Sequence, residues 1–445
     1  MTRLDTQPTY SDQSASSRRR GLVLIGVAIV LTGLNLRTAV NSVGPVLEEL
    51  ERGLGISSGL AGLVTTMPVI CFAVLGFAGP PLSARFRDAH VLAGGLLAMA
   101  AGLVLRAMAG SLWLFLVGTV VAMTGGALGN VLLPSLVKRW FPTRTGLLVG
   151  AYGTALSLGG AAAALVPQQI VASSGADGWR WALGIWAVLA VVSAVPWFLV
   201  PARPGASRTA HSAIRMRALV HSPLAVAMAV FFGFQAMQAY VIVGWVPQYL
   251  RDAGLSAGTA GLLLAVNTVL TIPINAVVPA LTVRRRLQRP LLLAFLVCYV
   301  AGWVGLWAAP RTAALLWMLL LGVGLGTFAM VLALIGLRAR TPETTAALAT
   351  VTQGWGYLIS GLGPLLVGVL RGLTGAYDGM FVMMLIGVGV LGGTGWLVTQ
   401  QRYVDDEVHR PVPDRAGPAD VVEAAGAEAP VALHVTEPGA ASPRE

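Results

Sequence analysis

Charge is what this chain has least of. Charged side chains make up 11% of its 445 residues, against roughly 25% in an ordinary soluble domain, and mean hydropathy is +0.75. That scarcity excludes a soluble globular protein. No histidine falls inside an apolar run, and every Asp and Glu lies in a loop, in a tail or at the end of a run. The HExxH and GxxxxGK[ST] patterns are absent, and GxSxG occurs only in loops between apolar runs, as GISSG at Gly55 and GLSAG at Gly254. With no nucleophile and base, or metal cluster, at membrane depth, the sequence points away from an enzyme, and the missing nucleotide loop excludes a self-contained ATP-driven pump. Cysteine is nearly absent too. Cys71 and Cys298 both stand in apolar runs and read as small buried hydrophobes, with no disulfide framework and no metal spacing. Neither a metal nor a cofactor is expected.

What the chain does have is apolar runs long enough to cross about 30 Å of hydrocarbon as helices of about 20 residues, without the alternation of barrel strands. Twelve are counted, so the fold class is an all-α integral membrane protein of twelve transmembrane helices. The net charge of +11 sits in short basic blocks between these runs, which argues against nucleic acid as a partner. Taking loops alternately, one set holds fifteen Lys and Arg, and the other holds six: Arg52, Arg106, Arg180, Arg251, Arg311 and Arg371. With Arg18, Arg19 and Arg20 ahead of the first run, this bias places both termini in the cytoplasm of a multi-pass protein of the cell membrane. The first run is too long for a cleavable signal and lacks a small-residue cleavage site.

Composition divides the chain. Residues 1–20 are polar and basic and read as a disordered cytoplasmic tail; 21–200 hold six runs; 201–221 are a polar, basic cytoplasmic linker; 222–400 hold six more; and 401–445, rich in Ala, Pro and acids, read as a second disordered tail. The two sets of six repeat. SSGLAGL at Ser57 aligns with SAGTAGL at Ser256, an offset that also pairs Pro80 with Pro279, Arg85 with Arg284 and Arg87 with Arg286; Pro142, Thr145 and Leu148 align with Pro342, Thr345 and Leu348 one residue further on. Two parallel six-helix repeats are the major facilitator architecture, with the solute site near midplane between them.

One stretch organises the rest. NLRTAVNSVGP, Asn35 to Pro45, puts an arginine and two asparagines inside the first run. A guanidinium at membrane depth costs at least about 2.5 kcal/mol on insertion scales and needs a bundle interior, water or a partner. No carboxylate stands at that depth, so Arg37 reads as the recognition group for an anionic or strongly polar solute. The alternative is a structural arginine bonded to carbonyls of a broken helix, or snorkelling outward. At 3.6 residues per turn Asn41 shares the Arg37 face, while Asn35 and Ser42 point away as glue to a neighbouring helix.

Further polar residues are candidate solute contacts: Asn130 and Tyr152 from the first set of runs, and Gln238, Asn267, Gln353 and Tyr357 from the second, with Gln353 and Tyr357 on one face of the eleventh run. Interhelical hydrogen bonding is the competing role for each. On the fifth run Gly146, Gly150, Gly153, Ser157 and Gly160 recur at spacings of four and three, a stripe for close helix packing and, in a transport cycle, a moving interface.

These strings also resemble a family. NLRTAVNSVGP, VKRWFPTRTGLLVGAYGTALSLG, GWRWALGIWA, DAGLSAGTAGLLLAV and QGWGYLISGLGPLL are similar to those of the major facilitator transporters grouped with cyanate and nitroimidazole carriers. The resemblance implies secondary transport of a small anionic or polar solute such as a cyanate-like anion or a nitroimidazole, by a monomer in the lipid bilayer. A multidrug or metabolite efflux antiporter of the same superfamily is the alternative. In that superfamily the loop after the second helix usually carries Asp followed by Arg as a cytoplasmic gate. Here PPLSARFRD keeps Arg85, has Ala84 in the Asp position, and leaves Asp88 to substitute. With Glu48 and Glu343 as the nearest carboxylates, read as solvated loop charges, no proton-carrying group stands on the route. Efflux or exchange is the expected default.

Overall fold

The computed structural model describes residues 10–76, 86–141, 144–200 and 219–408. Among these residues every regular element is helical. The spans are α1 (Tyr10–Asn35, then broken), α2 (Ser58–Gly76), α3 (Asp88–Ala107), α4 (Leu112–Trp140), α5 (Thr145–Ser174), α6 (Gly178–Gly184 and Trp186–Phe198), α7 (Pro223–Gly244), α8 (Ala257–Val283), α9 (Gln288–Ala308), α10 (Ala314–Gly324 and Gly326–Leu337), α11 (Pro342–Thr374) and α12 (Asp378–Val398). Eleven are long and apolar enough to cross a membrane, and the apolar stretch Gly59–Val74 of α2 is a shorter twelfth. This is the twelve-helix fold expected.

Local chemistry sets where several helices start and stop. Ser222, Ser256 and Thr341 lie in extended backbone and accept from the backbone N–H three residues on, at 3.1 Å each, capping α7, α8 and α11. Gly55 and Gly254, 199 residues apart, both take positive φ, 62° and 96°. Each ends a short helix, Leu47–Leu54 or Val246–Asp252, in the left-handed turn that glycine adopts without a Cβ clash. The sequence repeat is therefore also a repeat of helix, turn and helix.

The first six spans pack chiefly on one another, α3 on α4 and α6, α1 on α5 and α6; so do the last six, α7 on α11 and α12, α8 on α10, α9 on α10 and α12. The two sets meet where α2 packs on α11 and α5 on α8. The broken part of α1 lies between these seams.

Two boundaries differ from expectation. α1 begins at Tyr10 rather than Gly21, because nothing in SDQSASSRRRG breaks a helix already propagating. At the other end the polar segment after α12 is folded as far as Val408. Glu407 accepts from Ser222 Oγ at 2.5 Å and from Leu224 N at 3.1 Å, and Asp405 accepts from Thr344 Oγ1 and Arg340 N at 2.8 Å, so the acidic helix Val404–Val408 clips the starts of α7 and α11. Residues 1–9, 201–218 and 409–445, and with them most of the expected tails and linker, lie outside the described residues.

Candidate functional site: a broken first helix between the two halves

α1 stops at Asn35, and the chain then advances by a turn, the four-residue helix Thr38–Asn41, a 3-10 turn Gly44–Val46 and the helix Leu47–Leu54. Breaking a helix in a membrane frees carbonyls that must find donors. Here they find them in four places. Thr38 Oγ1 donates to Asn35 O at 2.9 Å, Arg106 Nη1 to Ala39 O at 2.9 Å, and Arg251 Nη1 to Pro45 O at 3.1 Å, with Gln168 Nε2 also on Pro45 O. At the end of the break a Cβ on Gly44 would collide with the Val243 carbonyl of α7, so only glycine permits this approach of the two halves.

Arg37 stands at the first bend, half-buried. Its Cβ packs beside Gly160 of α5. Its guanidinium lies within electrostatic reach of the hydroxyls of Tyr240 of α7 and Tyr357 of α11. Among the described residues it has no carboxylate partner. Tyr357 is the hub of an aromatic cluster, with ring centroids 5.1 Å from Phe232, 5.9 Å from Phe72 and 6.5 Å from Tyr240. The result is one cation faced by two phenols and lined by rings from both halves.

Around this centre the expected residues separate into groups. Asn35 is buried and donates to Ser193 Oγ at 2.6 Å, tying α1 to α6 as its facing required. Asn41 is buried too, and donates to Gly160 O at 3.2 Å beside Arg37. Gln353 is half-buried one turn from Tyr357, and its amide makes no hydrogen bond among the described residues. Tyr152 is half-buried on α5; Asn130 is exposed on α4, one turn from Gly126, which faces Phe72. Gln238 and Asn267 are placed elsewhere. Gln238, 0% exposed, donates to Met384 O at 2.9 Å and accepts from Trp303 Nε1 at 2.6 Å, and Asn267 donates to Met318 O at 2.8 Å. Both amides are occupied inside the last six spans, so they hold helices together in the role that competed with solute contact.

The α5 stripe is divided. Ser157 Oγ meets Thr271 Oγ1 of α8 at 3.1 Å and Gly160 packs on Arg37 and Thr268, whereas a Cβ on Gly150 or Gly153 would meet nothing within 4 Å. Gly146 has its surroundings outside the described residues. On the other seam Thr66 Oγ1 donates to Gly361 O at 3.2 Å, and the faces of Gly62 and Gly372 also touch the partner helix. The halves thus touch on the side of the membrane where Glu48 and Asp252 lie. A narrow void lined by Val40, Val43, Thr65, Pro68, Tyr240 and Val243 lies beyond Tyr240 on that side.

That end is sealed by charge. Arg251, next to α7, pairs with Glu48 at 2.7 Å and with Glu49 at 2.8 Å; Arg371 of α11 pairs with Asp252 at 2.9 Å and Glu51 at 3.4 Å, under the Tyr377 ring. Burial, then the bond it donates to Asp252 at 2.6 Å, pushes the Tyr377 hydroxyl well above the usual tyrosine range, against the opposing pull of Arg371. Glu48, read as a solvated loop charge, is a member of this cluster. At the opposite end Arg87 donates to Val200 O at 3.3 Å and Asp88 opens α3, while Arg85 and the Glu343 side chain lie outside the described residues.

Sequence reasoning missed Tyr240, Phe72 and Phe232, and it misplaced Arg106. The 199-residue repeat that aligns the two halves also superposes Asn41 on Tyr240, which is the signal that would have found it. Arg106 was counted as a loop charge because it ends an apolar run; in the fold it is fully buried.

Comparison with known proteins agrees with this architecture. Residues 23–364 match the family model described as Major Facilitator Superfamily. The chain is 32% identical to the 2-nitroimidazole transporter of Escherichia coli (strain K12) over 383 residues, 85% of this chain and 94% of that one. It is also 32% identical to the cyanate transport protein CynX of the same organism over 354 residues, 79% of this chain and 91% of that one. Among solved structures it resembles a bacterial homolog of the human lysosomal transporter Spinster in an inward-facing and occupied conformation, with a TM-score of 0.71 at 16% identity, covering 88% of this chain and 99% of the other. Twelve spans in the observed packing and a family match across most of them lead to one conclusion: the chain belongs to the Major Facilitator Superfamily of membrane transporters.

Proposed function

We propose that this transporter is a secondary carrier of a small anionic or polar solute, held at Arg37 between two six-helix halves, residues 21–200 and 222–400, that rock about it. One observation carries the reading: a half-buried guanidinium with no carboxylate partner among the described residues, set in the break of α1 and faced from the other half by Tyr240 and Tyr357. A cation in that place attracts an anionic or electron-rich solute, and Tyr240, Tyr357 and Gln353 can bind it from the second half. Closure around a bound solute then links the two halves, as alternating access requires. Cyanate-like anions and nitroimidazoles, the solutes named for the two relatives, fit a site of one cation and several rings.

The loop-charge bias makes the Glu48 end the outer one, with both termini cytoplasmic in the cell membrane. The described state is then closed outside, where the halves touch and the ion pairs lie. Among the described residues no carboxylate pairs with Arg37, which supports efflux or exchange driven by solute gradients and membrane potential. The experiment is transport in proteoliposomes over a panel of small anions, nitroimidazoles and lipophilic cations, under imposed pH and potential gradients. Saturable counter-exchange of anions or nitroimidazoles that is lost in Arg37→Ala supports the reading. Transport of lipophilic cations that is indifferent to Arg37→Ala replaces it with a multidrug efflux antiporter.

A further inference from the structure

We infer that Arg106 is a positioning residue: it pins the break of α1 from α3 and so sets where Arg37 presents its guanidinium, an inference that rests on Arg37 being the solute-binding group. Arg106 lies in the last turn of α3, 0% exposed, with no carboxylate partner among the described residues. A buried ion carries an effective penalty of several kcal/mol even after relaxation. What meets it here is one carbonyl and one ring.

The carbonyl is Ala39 O, which Arg106 Nη1 reaches at 2.9 Å. In an unbroken helix that oxygen would accept from Val43 N, but Val43 N turns instead to Val40 O at 3.4 Å. Ala39 O is therefore an orphan of the break, and the guanidinium supplies the missing donor. Ala39 belongs to the turn Thr38–Asn41, whose first carbonyl is that of Arg37, accepting from Val40 N at 3.2 Å and Asn41 N at 2.9 Å. Holding Ala39 holds the turn, and the turn sets the direction of the Arg37 side chain.

The surroundings are shaped for the guanidinium. Its Cζ sits 4.8 Å from the Phe115 ring centre, a cation–π contact that offsets part of the desolvation. Phe115 is in turn backed by Trp179 at 6.4 Å. Gly118 leaves the space for the arginine stem, since a Cβ there would fall 2.9 Å from Arg106 N and 3.0 Å from its Cγ. Its Nε and Nη2 find no acceptor among the described residues.

The test uses full-length protein in proteoliposomes, wild type, Arg106→Met and Arg106→Lys, with labelled cyanate and 2-nitroimidazole as probes. Hydrogen–deuterium exchange over residues 36–46 should quicken about tenfold in Arg106→Met, while α9 to α12 are unchanged, and Arg106→Lys should restore much of the protection by donating to Ala39 O. In the same protein the half-saturating probe concentration should rise about tenfold with the maximal rate per inserted molecule within about twofold. Wild-type exchange over 36–46 in Arg106→Met overturns the inference, and so does a lowered maximal rate at unchanged half-saturation. Quickened exchange with unaltered transport in both Arg106→Met and Arg37→Ala leaves the pin standing but removes Arg37 as the binding group. If Arg106→Met fails to insert, Phe115→Leu, which removes the ring and keeps the charge, should quicken the same segment about threefold, and wild-type exchange there counts against the inference equally.

Discussion

Arg251 holds Glu49 by both ends of its guanidinium, Nη1 at 3.0 Å and Nη2 at 2.8 Å, and the same Nη1 reaches Pro45 O in the break of α1. One side chain thus joins the charged seal between the halves to the helix that carries Arg37. The pair is largely shielded, with 13% and 11% of the two side chains exposed, so removing Arg251 leaves the Glu49 charge stranded.

Arg251→Ala should therefore open the seal. In a background lacking Cys71 and Cys298, Thr65→Cys lines the narrow void behind it. A membrane-impermeant thiol reagent applied from the outside should label that cysteine about tenfold faster when Arg251 is replaced. Unchanged labelling would show that the ion pairs do not close this end.

At Arg37 the shape of the cation matters as much as its sign. A planar fork can bond a carboxylate-like or linear anion and Tyr240 together, which an ammonium does less well. Arg37→Lys should cut transport about tenfold and Arg37→Ala should abolish it, with insertion preserved, measured as uptake or exchange in proteoliposomes. Wild-type flux in Arg37→Ala sinks the proposed site.

Gln238 offers the contrasting case. Replacing it with Leu strands the buried Trp303 indole N–H, so thermal unfolding in detergent should show a loss of about 1–3 kcal/mol while solute affinity is unchanged. A large fall in affinity at unaltered stability would return Gln238 to the solute site.

Gly150 and Gly153 separate packing from motion. Each faces open space in this state, so Gly153→Leu should fold with wild-type stability. The same face lies on the α5 stripe that meets α8 further along, and a bulky side chain should obstruct its closure in the opposite state. Transport is then expected to fall about tenfold or more while outside labelling at Thr65→Cys decreases. Normal transport in Gly153→Leu would mean that this part of α5 never closes on a neighbour.

Asn41 and Asn35 test how helical facing survives a break. Asn35 spends its amide on Ser193 and Leu31 O, whereas Asn41 bonds Gly160 O next to Arg37. Asn41→Cys should be labelled by water-soluble thiol reagents entering from the cytoplasmic side, and Asn35→Cys should stay unlabelled. The reverse pattern would refute the facing.

The amino-acid sequence by itself determined the membrane spans, the repeat, and the position of Arg37 in a run with no carboxylate at its depth. These follow from one-dimensional quantities: a bilayer requires about 20 apolar residues per helix, and an ion inside such a run is conspicuous whatever surrounds it. The break of α1 was legible as an alternative, in the idea of carbonyls needing an arginine. Which arginine does it was decided only by the fold. Arg106 and Arg251 look like loop charges because they end apolar runs, yet helix packing carries one into the bundle interior and the other across the seam to Pro45 and Glu49. Partner choice among amides was likewise tertiary. Gln353 and Gln238 are equally polar in sequence, but only Gln238 meets an indole N–H and a neighbouring helix's carbonyl close enough to occupy both of its ends. Tyr240 joined Arg37 for the same reason: a hydroxyl finds its charge across two helices that are far apart in the chain, and only their packing brings the two together.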